Sequence, residues 1–583
     1  MVRMMILLSQ SFAISCVSLC ACCMATAPLG LTWSATAYGP GGPWNAIQMS
    51  VGSPPQAIDL IPGGSWESPV LGSTICSGRS SGSSKCLADP ARLYDSSQSS
   101  TKVEISGTNI IVDSNFAPSI GALSFITGSA KYVFDTATFL FTDANTRIIP
   151  KFDMLVISEG HSTLPNGTNF PLEIGYLSLG APDANQSWVN GTGRFSANML
   201  SSYFWQTGGI ASYSYGMHIG SPTIGLPGSL YIGGYDQSRV VGPVTYQPPG
   251  QNWLPIDLLD IGIAVAVGKS PFNFTSKANL LVQDNGIINR ALAVTVEPRD
   301  PHLHLPQATC DAIADLLPVV FSQALGLYLW DTDSPFYNRI ITSPAVLSFT
   351  FRLSRSLTSA VTISVPFPLL ALTLAPPLAP SPTGLKYFPC APLPAGVTTP
   401  NGAPAAILGR AFLQAAFIGV NWSDRSGATW FMAQAPGPNT PGTASVEEIS
   451  AVKTDIVQSP NEWIRSWDGG WSELEKVGTT ASVSAPSATG SGASNAEPRN
   501  GASLPTAAKV GVGIGTGISI FVVLASFLLW WRKRAKKIQQ INQPNQADIQ
   551  TELDAKCTGD QDWTLTSHEL DSHGPTRRIA ELA

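Results

Sequence analysis

Charge is scarce in this chain. Only 12% of its 583 residues are Asp, Glu, Lys or Arg, against roughly a quarter in an ordinary soluble protein. With a net charge of −6 and a pI near 5.6, it offers no basic field for a phosphate backbone, and nothing points to nucleic acid as a partner. Several chemical signatures are missing as well. There is no Walker loop and, outside the N-terminal apolar run, no Cys-x-x-Cys. His302 and His304 alternate along one strand face, but no third ligand stands at a suggestive spacing. The pair therefore reads as structural, and neither a metal nor a cofactor is expected.

What is abundant is Gly, with 53 copies, and Pro, with 46. That profile suits an exported, turn-rich β protein long enough for two lobes. The N-terminus carries Arg3, an apolar run from Met4 to Met24, and Ala25-Thr26-Ala27. A basic start, an apolar middle and an Ala-x-Ala end predict a secretory signal peptide over 1–27; an uncleaved anchor is the alternative. Near the other end, 510–531 runs without a charge and spans ~33 Å as a helix, enough for a bilayer core. Arg532 to Lys537, "RKRAKK", follows it. The excess of Lys and Arg on that side puts the tail, 532–583, in the cytosol. The expected topology is a single-pass type I glycoprotein of the secretory pathway, at the plasma membrane or an endomembrane.

Cysteines and sequons agree with that topology. Cys16, Cys20, Cys22 and Cys23 would leave with the signal, and Cys557 lies beyond the span. Cys76, Cys86, Cys310 and Cys390 remain in an oxidising compartment. Of three pairings, the short loop Cys76–Cys86 with the long loop Cys310–Cys390 is the expected one. Asn166, Asn185, Asn190, Asn273 and Asn421 each begin an Asn-x-Ser/Thr triplet before the span. A stalk or linker is expected over 441–508, rich in Ser, Thr, Ala and Gly from about 480 and too poor in bulky residues to fold there. Trp463, Trp467 and Trp471 lie within it, and the sequence assigns them no role.

Between Leu29 and Thr440 the chain shows short apolar or alternating runs broken by Gly, Pro, Asn and Ser, such as "AKYVFDTATFLF", "GSLYIGGYD" and "AVLSFTFRLS". These are strand signals, and the expected class is mainly β. A helix is expected from Gln307 to Gly326, broken at Pro318.

Six motifs in order then resemble the pepsin family of aspartic peptidases, especially divergent membrane-anchored fungal members. "VGSPPQAIDL" resembles the strand before the first catalytic turn, and "ARLYDSSQSST" the stretch after a small disulfide loop. "VFDTATF" is similar to the strand after the flap, and "LEIGYLSLG" to the family's Asp-Gly-Ile-Leu-Gly-Leu-Gly. "GSLYIGGYDQSRVVG" and "AAILGRAFLQAAFIGVNW" resemble later family segments. The resemblance implies two β-barrel-like lobes, 28–250 and 251–440, with a peptide-binding cleft between them.

The family's chemistry needs two aspartates sharing one proton, each in Asp-Thr/Ser-Gly. Here the first position falls at or beside Gly63, among Pro62, Gly63 and Gly64. Asp59 lies several residues early on the strand, and Glu67 and Asp89 are no better placed. The second position falls on Glu297, followed by Pro298 and Arg299, with Asp300 displaced by three residues. Arg299 is positioned to pair with Glu297 in a salt-bridged surface loop, the reverse of a shared proton. Counting back from Asp135 to the flap lands near Leu123 to Phe125, without a tyrosine; Tyr132 is on the returning strand.

The expected function is therefore a catalytically inactive pseudopeptidase, tethered through 510–531, that binds peptide or protein in its cleft. No catalytic residue is assigned. One alternative is an active endopeptidase with an atypical dyad, Asp59 or Asp300 with Glu297. Another is an adhesion or sensing protein in which the tail matters most.

Overall fold

The computed structural model describes residues 27–474, apart from 78–85, 106–109, 113–124, 191–192, 251–252, 284–285, 287–290, 355–358, 380, 382, 394–405, 424–427 and 453–454. The signal-peptide stretch 1–26, the span 510–531 and the tail 532–583 lie outside the described residues. Among the described residues no helix is long and apolar enough to cross a membrane.

The chain is mainly β, as the short alternating runs require. Residues up to Asn198 build a twelve-stranded sheet, whose longest pairing is Phe125–Leu140 against Thr146–Thr163. Residues from Leu254 to Leu408 contribute an eight-stranded sheet. A six-stranded sheet joins distant parts of the chain, with Ser214–His218 pairing Ala416–Asn421. Alternation is visible in Ala345–Arg352, AVLSFTFR, where Val346, Leu347, Phe349 and Phe351 are buried and Ser348, Thr350 and Arg352 are less so.

Both expected disulfides, Cys76–Cys86 and Cys310–Cys390, are formed. The helix expected from Gln307 ends at Ala314, and Val319–Ser322 is a strand. Pro318 thus sits where the chain changes from helix to sheet rather than at a kink. Three sequon asparagines, Asn166, Asn185 and Asn273, are exposed. Asn421 is not: it is 4% exposed, and its Nδ2 donates to the Ser450 carbonyl at 3.1 Å, so no glycan fits there.

The chain stays on the body beyond Thr440. Val446–Glu448 pairs antiparallel with Gly234–Asp236. Trp467 is buried and stacks on Trp471, with ring centroids 5.2 Å apart. A Cβ on Gly437 would meet the Trp467 ring at 2.7 Å, so only glycine lets the two backbones come this close.

Candidate functional site

Two turns are constructed alike. The strand Gln56–Pro62 runs beside Gly175–Leu177 in parallel, with Pro62 opposite Leu177, and the next amide, Gly63 N, donates to Leu177 O at 2.9 Å. The strand Leu292–Val296 runs beside Ala406–Leu408 in parallel, with Val296 opposite Leu408, and Glu297 N donates to Leu408 O at 3.1 Å. The hydrogen-bond register makes Gly63 and Glu297 counterparts. The turns also touch: a Cβ on Gly63 would lie 2.4 Å from Pro298 Cβ, and one on Gly64 would lie 2.8 Å from Arg299 Cδ. Both glycines have positive φ, +145° and +91°, so sterics and backbone conformation each demand glycine here.

The two turns carry very different side chains. The Gly63 side brings no carboxylate. Glu297 does, but both of its oxygens are taken by Arg299, through Nε at 3.0 Å, Nη2 at 3.1 Å and the backbone amide at 2.9 Å. The pair is not at the surface as expected from sequence, since Glu297 is 4% exposed and the Arg299 side chain 13%. Burial alone would lower the Arg299 pKa; the Glu297 charge outweighs it and leaves the guanidinium raised.

The other sequence candidates have structural partners of their own. Asp59 is buried on its strand and accepts from Ser34 Oγ at 2.8 Å, Arg92 Nη2 at 3.0 Å and the Tyr38 hydroxyl. Four residues of strand put its backbone ~13 Å from Gly63. Asp300 is fully buried; its Oδ1 accepts the His302 amide at 2.8 Å and lies 2.9 Å from His304 Nε2. Tyr132 is on the strand Phe125–Leu140.

Beside the turns opens a cavity of ≈ 150 Å³. Its walls are largely apolar, with Trp44, Ile61, Leu155, Phe170 and Ile174 among them, and its polar groups include Glu67, Glu173, Tyr176, Arg299, His302 and Arg410. An apolar hollow with a few convergent polar groups is the usual form of a ligand site. Burial pushes the Glu173 carboxyl up to about 7, against the Gly39 amide and the Arg410 charge, which pull it down. Glu173 Oε1 accepts from Gly39 N at 3.2 Å, and Oε2 has no partner. Asp153 is more extreme: it is 1% exposed, neither carboxyl oxygen has a partner, and burial followed by the neighbouring Glu67 drives its pKa well up. A carboxyl so placed is held neutral. Burial also pushes the His302 imidazole well below its ordinary range, with His304 and Arg410 adding to the effect.

Arg410 ties the site together. Its Nη1 donates to the carbonyls of Pro298 at 2.9 Å and Arg299 at 2.7 Å, and its guanidinium stacks over Trp44 at 4.9 Å. Sequence reading missed Arg410, Glu173 and Asp153 because each is a lone polar residue in an apolar stretch. The only signal was that rarity, since a charge inside a buried run needs a reason. No protein-family model matches this chain, and no curated protein matches it.

Proposed function

We propose that this chain is a pepsin-like, two-lobed pseudopeptidase of the secretory pathway, tethered by 510–531, whose cleft binds an extended peptide or a partner protein without cutting it. One observation carries the reading. The paired turns meet as catalytic turns would, yet one bears glycine and the other a glutamate fully engaged by its own arginine. Proton sharing between two acids has no second acid to use, and general-base work has no free carboxylate there. The apolar cavity alongside supports retention of binding, since it keeps pockets for side chains. The two disulfides support passage through an oxidising compartment.

The test uses the full-length chain in mild detergent, incubated with denatured protein between about pH 3 and pH 6, the range in which acid dyads work. The expected result is no cleavage, with saturable binding of peptides carrying bulky apolar side chains. Pepstatin-sensitive cleavage that disappears in Glu297→Gln would overturn the proposal in favour of an atypical active dyad.

A further inference from the structure

The sequence Asp300-Pro-His302-Leu-His304 contains one constellation that the pseudopeptidase reading does not use. Along the chain, the two histidines lack a third ligand. In the fold, Asp300 supplies it: one donor atom from each of Asp300, His302 and His304 lies within 4.8 Å of the other two. The backbone explains why. The chain bends at His302, whose amide donates to Asp300 Oδ1 at 2.8 Å and folds the acid back towards the histidines, and His304 sits on the strand Leu303–Leu305 between Cys390–Pro392 and Ala406–Leu408. The Cys310–Cys390 bridge adds a covalent tie next to that strand pair.

A second observation concerns unused bonding capacity. Asp300 and His304 are 0% and 1% exposed, yet Asp300 Oδ2 and His304 Nδ1 have no hydrogen-bond partner, and neither does the sealed Nε2 of His302. Buried polar atoms are normally satisfied, and leaving one unpaired costs about 1–3 kcal/mol. Two of them, Asp300 Oδ2 and His302 Nε2, amount to a site short of a ligand; His304 Nδ1 is on the far edge of a ring whose Nε2 faces Asp300. His304 Nε2 lies 2.9 Å from each Asp300 carboxylate oxygen, but only Oδ1 has hydrogen-bond geometry. A separation of about 3 Å is also that of two donors on one ion with bonds of ~2.0–2.2 Å.

We propose that Asp300, His302 and His304 bind a divalent transition-metal ion, zinc by preference, at the wall of the cavity. Two imidazoles and a carboxylate suit zinc, and zinc needs no redox partner. Binding displaces the proton between His304 and Asp300 to solvent. His302 and His304 both line the cavity, so a fourth coordination position faces it, open to water or to a carboxylate or carbonyl oxygen of a bound ligand. The Arg410 guanidinium opposes the ion's charge, but its Nη1 is already engaged by two carbonyls, which fixes it in place. Metal binding here is independent of whether the chain cuts peptides, because neither Gly63 nor Glu297 takes part.

The experiment strips the full-length detergent-solubilised chain with a chelator and titrates it with zinc, then with cobalt, whose visible spectrum reports nitrogen and oxygen ligation. Variants are His302→Gln, His304→Gln and Asp300→Asn, with His568→Gln/His573→Gln as the control for adventitious tail binding. The proposal expects about one equivalent bound by the wild type and the tail control alike, and at least a tenfold loss of affinity on removing one of the three ligands. Metal-free melting curves show whether each variant is folded. His302→Gln is the informative one if the more buried positions fail to fold. Unchanged zinc affinity in a folded His302→Gln, or no uptake by the stripped wild type, would sink the proposal. Peptide binding measured in chelator tests the pseudopeptidase reading separately.

Discussion

The turn at Gly63 and the turn at Glu297 share a strand, a parallel neighbour and a closing amide bond, yet they are stabilised in opposite ways. The first is backbone only: two glycines at positive φ let a neighbouring turn press against it. The second is knitted from side chains, with Arg299 closing on Glu297 and Arg410 holding the carbonyls behind them. The two turns close alike because the backbone register does not depend on the side chains they carry. What those side chains decide is which side is fragile.

The largest expected effect comes from breaking the knitted side. Glu297→Gln leaves the Arg299 charge buried without its counter-charge and should cost about 3–5 kcal/mol. Replacing both partners together, Glu297→Leu with Arg299→Met, should recover most of that loss in urea denaturation. If the single variant is as stable as the wild type, the pair is not what holds this turn.

Next comes the backbone side. Gly63→Ala meets Pro298 at 2.4 Å with φ at +145° and should cost about 3 kcal/mol. Gly63→Asp introduces an acid but carries the same clash, so it should lower the melting temperature and yield no peptidase activity. Activity in Gly63→Asp would mean the turns differ less than their side chains suggest.

The cavity provides a smaller, pH-dependent effect. The Glu173 carboxyl titrates at about 7 in the fold against an ordinary 4.5, so the folded chain holds that proton more tightly than the unfolded chain does. Stability from this group is complete below pH 4.5 and declines as pH rises to about 7. Discounted for partial exposure, the change is about 2 kcal/mol. Asp153 acts with the same sign. Glu173→Gln should flatten the melting temperature between those pH values, and a slope unchanged in Glu173→Gln would contradict this assignment. The smallest effect is expected at an exposed ion pair. Asp143→Asn breaks a 2.6 Å contact to Arg147 but should shift stability by no more than about 0.5 kcal/mol.

Much of this is legible in the sequence where signals are local. The strand runs, the Cys76–Cys86 bridge and the Glu297–Arg299 contact follow from short spacings, and Cys310–Cys390, 80 residues apart, is then the pairing left over. The burial of that contact does not, because two adjacent charges in a Pro-containing turn ordinarily face water. Arg410 lies more than a hundred residues from the carbonyls it binds, and no periodicity encodes such a meeting. Asp300 reads as a displaced acid and the two histidines as an incomplete ligand set; only the fold puts them in one cluster.

Trp463, Trp467 and Trp471 set a practical boundary. Trp467 closes over Gly437, and Ser472 N donates to Thr342 O at 2.7 Å, so the globule's own lid is supplied by its final stretch. Shedding by a protease, or a truncated expression form, should leave an intact particle only if the cut falls after Leu474; a stop at Thr440 would strip that lid and leave an apolar scar prone to self-association.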